Sequence, residues 1–373
     1  MTVQETLAQL VAINSVSARS NAEICDYLSQ CCEAIGLDVK RHPYIDDKGV
    51  EKINLVATSS PGIESVELAL VGHTDTVPFD PNWEEALTLT KHDDKLLGRG
   101  ACDTKAFIAA ALTAVSEIDL SQLRKQLALI FTADEEIGLI GAKRLAEARA
   151  IEAAYAIVGE PTSLTPMRAG KGYCLAEVTV KGREGHSAYP GLGSSAVLGA
   201  ARLITRIEKI ARELEAEVHD AFDPPFTTLN VGLIRGGTAK NVIAGECTFT
   251  LEWRPIPGQG PERLLQALDA AIEEERSIDQ GLTFEVDASR ADEGFETSTT
   301  SRLVQLLERL TGHASSTVAF GTEAAQMTLL GAESVVMGAG DIRVAHRTHE
   351  FVPINELERC VEILKDSILE LCK

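Results

Sequence analysis

The residues with the plainest chemical capacity in this chain, His73, Asp75 and Asp103, fall in one stretch, VELALVGHTDTVPFDPNWEEALTLTKHDDKLLGRGACDTK, from Val66 to Lys105. His73 and Asp75 are spaced for an imidazole that gives one ring nitrogen to a metal and is oriented through the other by a carboxylate. Asp103 stands where a loop turns into the apolar-periodic run TKAFIAAALTAVSEI. A carboxylate there meets the positive end of a helix dipole, which favours its ionised form and suits it to a cation. The arrangement recurs downstream: QLALIFTAD ends in the acids Glu135 and Glu136, AAYAIVG ends in Glu160 followed by proline, and AESVVMGAGDIRVAH ends in a Gly-rich turn and His346. Two adjacent acids after an apolar strand are able to divide the work of metal ligand and general base. Two imidazoles and several carboxylates suffice for two divalent ions that share a bridging carboxylate.

Each of these groups follows an apolar run of strand length. In open α/β sheets ligands bind outside the carboxyl ends of the strands, so the four strand ends are expected to converge on one site. Thr2 with Glu5 and Ser20 with Glu23 have the capping-box spacing, which predicts two opening helices, the second ending near Gly36. KINLVATS reads as a strand, then a turn at Pro61-Gly62, then the strand leading to His73. Strands alternating with helices through Glu160 predict an α/β fold with a mostly parallel sheet covered on both faces.

The rhythm changes after Lys171-Gly172. YCLAEVTVKG, SSAVLGAARLITRIEKIARELEAEV, TTLNVGLIRGG, ECTFTLEWRPIPG, PERLLQALDAAIEEERSI and LTFEVDAS read strand, helix, strand, strand, helix, strand, the order of a ferredoxin-like α+β unit. SRLVQLLERLTG and the strand before His346 resume the first pattern, so residues 173–290 are read as an insertion into a domain formed by 1–172 and 291–373. NELERCVEILKDSILELCK is an amphipathic terminal helix that packs on the sheet.

A chain of 373 residues calls for two domains rather than one core. The formal charge of −21 argues against nucleic acid or an anionic membrane surface as partner, and favours cationic or zwitterionic small molecules. No apolar run approaches a bilayer span and MTVQETLAQL lacks the features of a signal peptide, so a cytoplasmic location is expected. Eight cysteines without a CxxC pair indicate buried thiols rather than a disulfide scaffold or zinc ribbon.

The motifs GHTDTVP, GRGACDTK, TADEE, GEPT, GREGHSAYP, GGTAKN and AHRTHEF, in that order, resemble the M20 family of co-catalytic zinc deacylases and peptidases over nearly the whole chain, and its acetylornithine deacetylase branch most. The resemblance implies two divalent metal ions, Zn2+ or Co2+, in a catalytic domain, and an inserted dimerisation (lid) domain. His73, Asp103 and Glu160 would hold one ion, and Asp103, Glu136 and His346 the other, with Asp103 bridging. Asp75 would orient His73, and Glu135 would be the general base. His186 would polarise the scissile carbonyl from the partner subunit of a homodimer. Asn241 and Arg254 would touch the substrate's carboxylate or amide, and Glu323, in GTEAAQ, would meet a side-chain ammonium at the far end of the pocket.

The reaction implied is hydrolysis of the acyl amide of an N-acyl amino acid, nearest to N2-acetyl-L-ornithine in arginine biosynthesis. N-succinyl-diaminopimelate, N-acetylcitrulline or a peptide remain alternatives within the family, and a non-catalytic metal-binding protein of the same fold is an alternative of another class. Other readings stand beside several residues: a helix-capping loop histidine for His186, a structural arginine for Arg254, a turn acid for Glu323, and His349 as a second candidate ligand in AHRTHEF. His42, His92, His219 and His313 have no motif around them. Two positions depart from the family pattern. Ala106 replaces a glycine after Asp-x-Lys, and His349 stands where an acid is usual, with Glu350 next to it as the matching acid.

Overall fold

The computed structural model describes residues 2–59 and 65–373, and the expected Pro61-Gly62 turn lies outside them. The chain opens with helix α1 (Val3–Ala12), whose capping box forms: Thr2 Oγ1 accepts from Glu5 N at 3.3 Å and Glu5 Oε2 accepts from Thr2 N at 2.8 Å. The second box does not form. Helix α2 (Ala22–Ala34) has Asn21 at its N-cap, and that amide is engaged elsewhere. It donates to Ile53 O at 2.8 Å and accepts from Ile53 N at 2.9 Å, tying the helix start to a strand in place of capping it.

Strands β1 (Asp38–Ile45), β2 (Glu51–Thr58) and β3 (Ser65–His73) follow, then α3 (Lys105–Ser116), β4 (Leu127–Thr132), α4 (Ile140–Glu147) and β5 (Glu152–Val158). β1 escapes the sequence reading because DVKRHPYI exposes or half-buries every residue and has no apolar run to betray it. β4, LALIFT, is buried throughout, as a central strand covered on both faces requires. α3 is buried from Lys105 to Val115 and packs against α1, β3 and the terminal helix. Ala106, the departure from the family glycine, is buried there among Phe107, Leu10 and Leu364 as an ordinary core residue.

The inserted unit contains β6 (Tyr173–Lys181), α5 (Ala196–Leu214), β7 (Thr228–Gly236), β8 (Glu246–Arg254), α6 (Glu262–Ile278) and β9 (Thr283–Asp292). Its antiparallel sheet runs β7-β8-β6-β9, the ferredoxin-like order, over a core of Val178, Val180, Leu203, Ile207, Phe249, Leu251, Trp253 and Leu268. The chain then returns through α7 (Arg302–Thr311), α8 (Ala324–Leu329), β10 (Glu333–Val336) and α9 (Ile354–Cys372).

Two compact units result. One comprises Met1–Arg168, Glu296–Ser316 and Thr322–Lys373, and the other Ala169–Phe295 and Thr317–Gly321. The segment 317–321, read from sequence as part of the first domain, belongs to the second because Val318 O accepts from Lys171 N at 3.2 Å and Thr317 Oγ1 donates to Ala221 O at 2.8 Å.

The nine-stranded sheet that builds the first unit includes the run β1-β2-β4-β3-β5-β10. β4, β3, β5 and β10 are mutually parallel, while β1 and β2 pair antiparallel at one side. The register decides where the side chains of interest emerge. His73 lies opposite Thr132, so β3 and β4 end level, and Val158, the last residue of β5, lies opposite Val71, two residues earlier. Gly159 lets β5 leave the sheet against α3, because a Cβ there would come within 2.2 Å of the Phe107 ring. Among the described residues no helix is long and apolar enough to cross a membrane.

Candidate metal centre

Neighbouring strand ends on one side of the sheet bring their loops together. Among the described residues, His73, Asp103 and Glu160 form one group, and Asp103, Glu136 and His346 a second, each with ligand atoms within 4.8 Å of one another. Asp103 belongs to both. Its Oδ1 is 3.0 Å from His73 Nε2 and its Oδ2 is 3.1 Å from His346 Nε2. His346 Nε2 is also 3.1 Å from Glu136 Oε2, while the buried Glu136 Oε1 has no hydrogen-bond partner. An orphaned, buried carboxylate oxygen beside two imidazoles is the donor set a divalent cation completes.

The second nitrogen of His73 is fixed by a different atom from the one the sequence suggests. Nδ1 lies 3.0 Å from the main-chain O of Asp75 and 3.7 Å from its carboxylate. A carbonyl oxygen only accepts, so Nδ1 carries the proton and Nε2 faces the cluster. The Asp75 carboxylate points elsewhere, accepting from Ser17 Oγ at 2.7 Å, Glu135 N at 3.1 Å and Glu136 N at 3.3 Å. Asp75 thus serves the imidazole with its backbone and the neighbouring loop with its side chain.

Asp103 is held in turn by Glu350, whose Oε1 accepts from Cys102 N at 2.8 Å and Asp103 N at 3.0 Å and whose Oε2 accepts from Arg99 at 2.6 Å. Both partners of the Arg99–Glu350 pair are buried, and removing one alone leaves an uncompensated charge at a cost of about 3–5 kcal/mol. Arg99 also lies 5.5 Å from the Trp83 ring, on which His349 packs edgewise at 5.7 Å. His349 therefore joins neither group of ligands. The sequence reading missed Ser17 and Lys52, which carry no motif, and passed over Arg99 in GRGACDTK and Asp134 in TADEE. For Arg99 the signal was its place between the glycines of GRGACDTK.

Crowding acids in a buried place perturbs them. Burial pushes Glu160 and Glu135 well above the usual carboxylate range, with neighbouring acids adding to the effect, and burial also raises Glu136. Burial opposes ionisation of Asp103 as well, but its hydrogen bonds to His346 and His73 win and hold it below the usual range. Hydrogen bonds to Asp103 and Glu136 raise His346 to about 10. Burial would lower His73, yet Asp103, Glu135 and Asp75 lift it well above an ordinary imidazole. The metal-free cluster thus keeps protons where cations would otherwise sit, which is the electrostatic signature of a cation site.

Glu323, read as an acid that meets a side-chain ammonium, is a buried residue. It is 1% exposed at the start of α8, and burial raises it to about 7 against the opposing pull of His73 and the Thr132 hydroxyl. In the second unit, His186 and Asn241 meet: Asn241 O accepts from Ser187 N at 3.1 Å, and the short strand Gly185–His186 pairs with Val242–Ile243. His186 does not cap α5, whose N-cap is Ser195. Its Nδ1 accepts from Ala188 N at 3.1 Å. Arg254 lies 4.5 Å from the Tyr173 ring, pairs with Glu252 at 2.9 Å and donates to Ala319 O at 3.1 Å.

A model of peptidase family M20/M25/M40 matches residues 69–370. The chain belongs to that family. Along the M20 chain, 50% of 372 residues are identical to a protein named acetylornithine deacetylase from Myxococcus xanthus, covering 99% of this chain and 97% of that one. A protein of the same name from Proteus mirabilis (strain HI4320) is 34% identical over 377 residues, covering 99% and 96%. Among solved structures, a tripeptidase from Staphylococcus aureus subsp. aureus mu50 superposes with a TM-score of 0.76 at 25% identity, covering 97% and 96% of the two chains.

Proposed function

We propose that this M20 chain removes the acetyl group of N2-acetyl-L-ornithine by hydrolysis, giving L-ornithine and acetate for arginine biosynthesis. The observation that carries this reading is the 50% identity, over 99% of the chain, to the Myxococcus protein of that activity's name. We further read it as a cytoplasmic homodimer. Eight free cysteines, all but Cys31 buried, suit a reducing compartment.

The residues fit two divalent cations. His73, Asp103 and Glu160 would hold one and Asp103, Glu136 and His346 the other, Zn2+ or Co2+ being suited to imidazole and carboxylate donors. Bound there, such ions supply Lewis acidity for the acyl oxygen and acidify the attacking water. The protein's own part is to place groups and move a proton. Glu135 takes the water's proton on its carboxylate and returns it to the departing amine. Its environment opposes the charged form by burial, and two cations would oppose that shift, bringing the group towards the range in which it both accepts and donates.

His186 donates to the developing oxyanion, its short strand held by the turn that carries Asn241. Arg254, which pairs with Glu252 and lies against Tyr173, and Asn241 would touch the substrate's carboxylate or amide. Glu323, buried within electrostatic reach of His73 and Asp75, would favour a substrate with a side-chain ammonium.

The test is release of ornithine by metal-stripped protein given back Zn2+ or Co2+, against a panel of acetylornithine, acetylcitrulline, acetylmethionine and succinyl-diaminopimelate. Faster turnover of another member replaces the substrate assignment. No hydrolysis of any member by protein carrying two ions rejects the catalytic reading.

A further inference from the structure

Lys52 lies near the start of β2 and is among the largest fully buried side chains in the protein, at 1% exposure. Its ammonium uses all three donors: to the main-chain oxygen of Ser17, to that of Arg19 at 2.9 Å, and to Asp134 Oδ1 at 2.7 Å. The other oxygen of Asp134 accepts from Tyr44 Oη at 2.9 Å. Asp134 has φ 57°, in the left-handed region that Asp enters more readily than most residues, and the chain turns there as it leaves β4. The next two backbone N–H groups, of Glu135 and Glu136, point at the Asp75 carboxylate. That carboxylate also accepts from the hydroxyl of Ser17, the residue whose carbonyl Lys52 holds. The contacts close a loop: Lys52 to Asp134, along the chain to Glu135, across to Asp75, on to Ser17 and back to Lys52.

A buried ion pair is a poor device for stability, since well-packed apolar residues of similar volume are often as stable or more so. What the pair provides here is a fixed geometry for the turn from which Glu135 projects. We propose that Lys52 is a positioning residue for proton transfer by Glu135, acting through Asp134 on the backbone of that turn. The inference rests on the reading of Glu135 as the general base. Lys52 touches neither group of metal ligands, and because Glu136 follows Glu135 on the same turn the metal content is measured with every kcat.

The experiment compares Lys52→Met, Glu135→Gln and the double variant, each reconstituted with metal and assayed on whichever acyl amino acid the wild type hydrolyses best. Misplacing a catalytic group by an ångström costs on the order of 100-fold, so Lys52→Met should lower kcat about 10- to 100-fold at full metal content with KM within about twofold. In the Glu135→Gln background, where no carboxylate remains to be placed, adding Lys52→Met should cost less than about twofold, the non-additivity of residues that act as one unit. Wild-type kcat in fully metallated Lys52→Met overturns the inference. So does a further loss in the double variant equal to that of the single one, or a loss that merely follows missing metal.

Lys52→Met alone leaves Asp134 uncompensated, so the charge-free pair Lys52→Met/Asp134→Asn, whose Asn suits the left-handed turn and still accepts from Tyr44, is measured alongside it. It should show the same fall in kcat, and the same absence of further loss with Glu135→Gln. Wild-type turnover in it rejects the proposal. Near-wild-type turnover of Glu135→Gln would instead remove the base assignment, which separates the two failures.

Discussion

The carboxylate of Asp75 receives the backbone N–H of Glu135 at 3.1 Å, while the carbonyl oxygen of the same Asp75 receives His73 Nδ1 at 3.0 Å. One residue thus sets the tautomer of a candidate ligand and the position of the candidate base, by two separate atoms. In Asp75→Asn the carbonyl remains and the side chain gains an NH2 that faces backbone donors. The variant should keep the ion held by His73 and lose about 10- to 100-fold in kcat, as a misplaced catalytic group does. Metal analysis beside steady-state kinetics checks this, and loss of the ion in step with activity contradicts it.

Asp103 joins both groups of ligands and His346 only one. Asp103→Ala should weaken both sites, so that dialysed protein holds well below one ion per chain, whereas His346→Ala should retain the ion held by His73 and Glu160. Elemental analysis after dialysis decides, and two-ion occupancy in Asp103→Ala would sink the bridging assignment.

In metal-free protein Glu323 is raised from 4.5 to about 7, chiefly by burial, and His346 from 6.5 to about 10, chiefly by its hydrogen bond to Asp103. Both shifts mean that the folded state holds more protons than the unfolded one, so both make stability fall as pH rises. The share of Glu323 is lost from pH 4.5 through about 7, and that of His346 from 6.5 through about 10. With chelator present, Tm should decline from mildly acid to alkaline pH, and Glu323→Gln should flatten only the acid part of the decline. Calorimetry over that range would show an unchanged slope below neutrality in the variant if Glu323 were not responsible.

The proposed homodimer would form through the inserted unit. β7 is an edge strand that pairs with β8 alone in its sheet, and it exposes Leu233 at 59% and Ile234 at 54%, an edge that a second copy would cover. If each site borrows His186 from its neighbour, His186→Ala and Glu135→Gln homodimers should both be nearly inactive. Dissociating and mixing them in equal amounts should restore about a quarter of wild-type activity, because half the dimers are mixed and each has one intact site of two. Activity that stays at the parental level means that His186 acts within its own chain, and a fully active monomer by light scattering ends the proposal.

Local pattern alone marked the strands that lead to His73, Asp134 and Glu160, since apolar runs of strand length need nothing beyond burial on both faces of a sheet. Periodicity likewise revealed the strand and helix order of the inserted unit. It missed β1, whose exposed and half-buried residues leave no apolar run, and misread the start of α2, because Asn21 is recruited by Ile53 on another element. The contacts that arrange the centre are of this second kind. Ser17 reaches Asp75 across 58 positions, Lys52 reaches Asp134 across 82, and Glu350 reaches Asp103 across 247. Composition and spacing report the local backbone and which face of an element is buried. Which atom of Asp75 meets His73, and which carboxylate fastens Asp103, depend on the order and register of strands far apart in sequence, and only the folded sheet decides them.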